Sequence, residues 1–286
     1  MVEFTGQPVS TVAGFVDKIV TVAQAAGRPL WFRGHRSAAY QLVPGLYRSL
    51  RPTATAMGTP VPRDFRGQSS ATVYAYPNFW AMLLEFKRFA APHLQAMSRP
   101  PADEFEWIFL MQHYGVRTRL LDWTTDPLIA LYFATRDDAK RRPRRPLPAA
   151  VFAMDPVAVN KRTVDIEGVI SLSAESWSHY LEPQTFDANF PICVAPAHID
   201  PRVIGQSSVF TLHGALLARL DSYVPVQPHI AELKIDAEAV PAIRAELTLL
   251  GYDRARVFPE LSTIAERVLR AGEQAFDRWE PEQNNE

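Results

Sequence analysis

The chain has 286 residues, 47% of them hydrophobic and 11% aromatic, a composition that favours a packed globular core over disorder. A formal net charge of −1 argues against a bulk electrostatic handle for duplex nucleic acid or an anionic membrane, while leaving room for a local basic patch. Cys193 is the single cysteine, which excludes an intramolecular disulfide and a multi-cysteine metal site.

The N-terminal MVEFTGQPVS lacks the basic and apolar regions of a signal peptide, and no apolar run approaches the roughly 20 residues that span a bilayer, so a cytoplasmic location and no membrane partner are expected. Ser10 or Thr11 can cap a first helix in which Val12, Phe15, Val16, Ile19, Val20 and Ala23 form a stripe at helical spacing and which Gly27 stops. Leu30-Trp31-Phe32-Arg33-Gly34 reads as a short buried strand. Residues 51–73 are poor in large apolar side chains and rich in Pro, Gly, Thr and Ala, which predicts a loop. Helices are predicted from about Asn78 to Met97 and from about Pro101 to Tyr114. The segment Gln112 to Pro127 contains a turn that ends at a helix N-terminus, with Thr124 or Thr125 capping a helix that carries Asp126 and Pro127 in its first turn and runs to about Asp138. The basic run at 139–148 reads as a solvated loop or as a phosphate contact, ahead of a strand at Ala149–Met154. Later strands are predicted near Ser208–Thr211 and Ile230–Ile235, and two helices near Ala237–Leu250 and Pro259–Arg270. With no repeat and no linker, one domain is expected over 1–286, with its core over about 10–270 and a frayed tail over about 280–286.

The densest chemistry lies in Gln112-His113-Tyr114-Gly115 through Leu120-Leu121-Asp122-Trp123-Thr124, where polar groups able to hold a ligand alternate with apolar anchors and lead into a helix N-terminus, a place that favours anions. Each residue also has a plain structural role open to it: Asp122 as a turn cap, His113 as a core histidine, Trp123 as packing. Arg33 ends a buried strand and needs an anionic partner, either Asp122 or a ligand phosphate held by its fork. Gly34 lets backbone or ligand come close. The seven histidines show no metal-ligand spacing, His198-Ile199-Asp200 alone is weak, and no metal is expected.

These residues resemble the FRG domain family: Phe32-Arg33-Gly34 is its aromatic-Arg-Gly motif, and Gln112–Gly115 through Leu120–Thr124 with Pro127 and Ala130-Leu131-Tyr132-Phe133-Ala134 is its second block. Arg202–Thr211 is similar to a third block, which usually carries glycine where Ser207 or Ser208 stands here, and Leu250-Gly251-Tyr252 with Val257–Leu261 is similar to the close. The order of elements also resembles mono-ADP-ribosyltransferases. That resemblance implies an α+β fold with an ADP-ribosyltransferase-like split, mostly antiparallel sheet and surrounding helices. It implies NAD as substrate, Arg33 on its phosphates, Tyr114 or Trp123 against the nicotinamide, and Thr124 or His113 on the ribose, with Gly34 and Gln112 in the same pocket. Gln206 stands nearest to the position of the catalytic glutamate; being an amide it cannot act as a base, so Asp122 or Glu232 would supply the carboxylate. A toxin or anti-phage effector modifying RNA, DNA or protein, with an antitoxin or delivery partner, follows from this reading. The alternatives are a non-catalytic module binding a nucleotide or phosphorylated ligand, and a nucleic-acid-associated protein.

Overall fold

A computed structural model describes residues 2–3, 7–49, 51–53, 59–60, 73–75, 78–96, 99–137, 147–181, 190–196, 205–214 and 219–277. Strand β1 (Val2–Glu3) precedes α1 (Val12–Ala26), which begins where Thr11 Oγ1 accepts the Gly14 amide and ends where Gly27 turns left-handed at φ 66°. Strand β2 (Trp31–His35) follows. The expected loop at 51–73 is strand wherever it is described: β3 (Arg51–Thr53), β4 (Thr59–Pro60) and β5 (Val73–Ala75) form a small antiparallel sheet in the order β3-β5-β4. Strands of two or three residues show no alternation in sequence; they exist because they pair.

Helix α2 (Phe79–Ala90) gives way to a tighter 3-10 turn at Ala91–Ala96, where Pro92 has no amide to continue an α-helical ladder. Asp103 caps α3 (Glu104–His113). Leu120–Thr124 is not a turn but strand β6, and Asp126, rather than Thr124 or Thr125, caps α4 (Pro127–Thr135) by accepting the amides of Leu128 and Ile129. Strand β7 (Ala149–Met154) has the predicted bounds and is buried on both faces. Helix α5 (Pro156–Val164), β8 (Ile170–Ser171), α6 (Ala174–Trp177) and β9 (Ile192–Ala195) fill the middle. Then come β10 (Ser208–Leu212), β11 (Ile230–Ile235), α7 (Val240–Leu249), α8 (Arg254–Val257) and α9 (Leu261–Asp277). Ser207 enters β10 at φ 47°, a backbone that gives the glycine expected near this position a conformational reason. Among the described residues no helix is long and apolar enough to cross a membrane.

The fold is α+β. Its large sheet has the order β1-β11-β7-β2-β6-β10-β9-β8 and is antiparallel except at its two edge pairings, β1 with β11 and β8 with β9. Two helical groups cover one face. Helices α1, α4 and α7 pack on Phe32, Val151 and Leu233, whereas α2 and α3 pack on Leu120, Phe210 and Leu212. The opposite face buries Trp31, Leu121, Trp123 and Phe152 beside Val159 of α5. The two helical groups meet over the junction of β2 and β6, and that junction is the weakest pairing in the middle of the sheet, with one register pair, Phe32 with Thr124.

Candidate functional site

Because β2 and β6 pair at one position and then diverge, the sheet opens between Arg33 and Asp122. A cleft of about 910 Å³ lies there, with Gly34, Gln112, Thr124 and Gln206 in its walls. Its depth depends on Gly34. A Cβ at this position would stand 1.9 Å from the Ala130 carbonyl oxygen and 2.6 Å from the Ala134 nitrogen, so the backbone of α4 rests directly on β2. The aromatic-Arg-Gly order thus has a geometric meaning: Phe32 points into the helix-covered core, Arg33 points toward the cleft, and Gly34 lets α4 close down beside it.

Arg33 is held at two of its nitrogens. Its Nε donates to His35 Nε2 at 2.9 Å and its Nη1 donates to the Asp122 backbone carbonyl. Nη1 also stands 3.6 Å from Asp122 Oδ2, with the arginine side chain 15% exposed and the aspartate 54%. His35 accepts from Arg33 on Nε2, so its proton sits on Nδ1, which faces the Tyr40 carbonyl at 3.2 Å. Burial lowers the Arg33 pKa to about 10, with Asp122 raising it and Arg48 lowering it further. Burial, then the Arg33 charge, lowers His35 to about 3. The Asp122 carboxylate is steadied from its other side: Gln112 Nε2 donates to both carboxylate oxygens at 3.0 Å, and Gln112 Oε1 accepts from Thr118 Oγ1 at 2.7 Å. The result is a fork and a carboxylate side by side, each fixed by neutral neighbours.

Charge in the cleft is one-sided. Arg33, Arg36, Arg48 and Arg136 line it, and among the described residues Asp122 is the one lining carboxylate. On one wall the Phe133 and Phe258 rings meet edge to face, and the Arg136 guanidinium lies 5.1 Å above Phe133. Both rings line the cleft.

The residues expected to act here fall into three groups. Arg33, Gly34, His113 and Asp122 line the cleft, and Gln112 does so as the support of Asp122. Trp123, Thr124 and Gln206 also reach it but are engaged elsewhere. Trp123 is 3% exposed and donates from Nε1 to Thr211 Oγ1, and Thr124 Oγ1 donates to the Gln206 carbonyl while accepting the Asp126 amide. Gln206 Nε2 donates to the Val257 carbonyl at 2.9 Å, which leaves its Oε1 as the atom able to meet a ligand. Tyr114 and Glu232 are outside the lining. Tyr114 is 65% exposed and packs on the His113 and Phe86 rings. Glu232 sits opposite Phe152, whose other neighbour is Arg33, so two strand spacings, roughly 10 Å, separate its backbone from that of Arg33. His35, Arg48, Arg136 and Phe258 were not foreseen as site residues. A period of two from Arg33 would have found His35; nothing local marks the other three.

No group of three or more His, Cys, Asp or Glu able to hold a metal occurs among the described residues. The basic run up to residue 146 and His198-Ile199-Asp200 lie outside them.

A second buried imidazole lies behind the site. His213 is fully buried, its Nδ1 has no hydrogen-bond partner among the described residues, and burial followed by Arg119 lowers its pKa to about 3. Above pH 6.5 neither the folded nor the unfolded chain protonates His35 or His213. Between 6.5 and 3 only the unfolded chain does, so stability falls as pH falls, by about 1.4 kcal/mol per pH unit for each imidazole. Urea midpoints at pH 7 and pH 5 should therefore differ by several kcal/mol in unfolding free energy. A His213→Gln chain should lose about half as much over that interval; an unchanged slope in that variant would contradict the account.

The family model described as FRG domain matches residues 28–142, the span that runs from just before β2 to beyond α4 and contains both sides of the β2–β6 junction. The stretches at 202–211 and 250–261 lie outside the matched span. No curated protein and no solved structure matches the chain.

Proposed function

Starting from a chain that carries an FRG domain, we propose that the cleft binds NAD and that the protein transfers its ADP-ribosyl group to a macromolecular acceptor. One observation carries this reading: an arginine fork fixed by His35 and the Asp122 carbonyl stands beside a half-exposed carboxylate in a cation-rich cleft of about 910 Å³. The size suits a dinucleotide, and the excess of arginine suits its pyrophosphate. Arg33 receives the phosphates, and Phe133 with Phe258 offers the nicotinamide a face. The bond between nicotinamide and ribose C1′ breaks with its electron pair leaving on neutral nicotinamide. Positive charge develops on the ribosyl group, and the Asp122 carboxylate stabilises it. A hydroxyl or amine of the acceptor, or water, bonds to C1′ and gives up its proton to Asp122 or solvent. Gln206 Oε1 can accept a ribose hydroxyl but takes no proton. Acceptors of the RNA, DNA or protein class, and the setting of a toxin or anti-phage effector with its antitoxin or delivery partner, belong to this proposal.

The test is nicotinamide release and label transfer from NAD, with and without cell lysate and RNA. Asp122→Asn keeps an oxygen that can accept from Gln112 Nε2 and should lower turnover about 100-fold or more while leaving NAD affinity within a few-fold. A second reading rests on the same carboxylate, which Gln112 Nε2 and Arg33 already engage: the cleft binds a nucleotide without reacting it. NAD binding with no release under any condition would select that reading and end the transferase one.

A further inference from the structure

Beside the main cleft is a second pocket of about 400 Å³ lined by Gly45, Arg48, Gln112, Gly115, Val116 and Arg117. Arg48, Gln112 and Gly115 border both, so the two share a wall. Among the described lining residues Arg48 and Arg117 are cationic and none is acidic. Arg48 is anchored at the junction by its Nε, which donates to the Val43 carbonyl at 2.9 Å. Burial lowers its pKa; Asp122 opposes that shift and Arg117 adds to it, so the two guanidinium groups repel one another. The Arg117 stem lies against Gly45, where a Cβ would stand 3.5 Å from its Cβ and Cγ, so the stem follows the pocket wall. Two guanidinium groups on the wall of one pocket favour an anion between them.

We infer that this side pocket is a second phosphate subsite, holding a phosphate of the ligand or acceptor while Arg33 holds the first. The inference rests on the nucleotide reading of the main cleft. A phosphate here has two sources: one on the ribose of the dinucleotide itself, or one in the backbone of an acceptor strand. Both require a fork at Arg117 and a point of charge at Arg48.

The experiment is calorimetric titration of the full chain with NAD, NADP and a single-stranded oligonucleotide at one fixed salt concentration, repeated on Arg117→Ala and Arg117→Lys. Arg117 is exposed, and a melting curve for each variant checks that packing is intact. A ribose phosphate in the subsite predicts that the NADP-to-NAD affinity ratio falls about tenfold in Arg117→Ala. A strand phosphate predicts the same fall in the oligonucleotide-to-NAD ratio. Arg117→Lys should recover part of either. Both ratios unchanged in Arg117→Ala would overturn the subsite and leave the main cleft's reading standing. Binding of NADP or oligonucleotide that depends on Arg117, with no binding of NAD, would support the subsite and overturn the NAD reading. No binding of any of the three overturns both.

Discussion

Gly34→Ala should lower the melting temperature by roughly 6 °C or more and abolish ligand binding together with it. The added methyl would stand 1.9 Å from the Ala130 carbonyl oxygen, 2.6 Å from the Ala134 nitrogen and 2.9 Å from the Ala130 carbonyl carbon. All three are helix backbone, so no side chain can swing aside. Helix α4 would have to lift from β2, and with it Ala130, Leu131 and Ala134, which pack on Phe32 in the core. Overpacking of this kind costs about 3 kcal/mol or more where the surroundings cannot yield. For a chain of this size each kcal/mol shifts the midpoint by about 2–4 °C. Gly168, which has open space around its Cβ position, is the control: Gly168→Ala should change stability by less than about 1 kcal/mol. A Gly34→Ala protein that melts with the wild type would mean that α4 does not rest on β2 as described.

Arg33→Ala should weaken nucleotide binding about 100-fold with only a small loss of stability. A fork on a phosphate makes two charge-assisted hydrogen bonds, and losing both in a half-enclosed cleft costs about 3 kcal/mol. The fold should survive, because the substitution removes two internal bonds, to His35 and the Asp122 carbonyl, but also removes a charge that repels Arg48. Arg33→Lys should recover at most about tenfold, since one ammonium cannot serve His35, the carbonyl and a ligand in the geometry a planar fork provides. An internal check comes from His35, whose lowered pKa owes its second largest part to Arg33. In Arg33→Ala the imidazole should titrate at higher pH, visible by NMR. Unchanged nucleotide affinity in Arg33→Ala would remove Arg33 from the binding site whatever His35 does.

Some of this architecture was readable residue by residue. The stripe of α1 with Thr11 and Gly27 at its ends depends on a spacing of 3.6, β11 on a spacing near 2, and β7 on a continuous apolar run, all present in the local string. Arg33, Gly34 and Asp122 were marked by chemistry that rarely sits among large apolar side chains without a reason. Strand β6 was not readable as one, because Asp122 breaks the apolar run of Leu120, Leu121 and Trp123 and polar residues stand on both sides of it. The short strands β3, β4 and β5 likewise carry no pattern of their own.

What the tertiary structure alone decided is which of the marked residues share a space. Asp122 and Glu232 were equal candidates in sequence; strand order puts Asp122 across the open junction from Arg33 and Glu232 behind β7. Arg48, Arg136 and Phe258 come from three separate segments and converge because β2 and β6 pair once and part, leaving a gap that α4 and the helices on the other side frame. Sequence determines periodicity, caps and the residues with unusual needs, since those depend on neighbours along the chain. Register and strand order depend on contacts between distant segments, and the cleft is made of those.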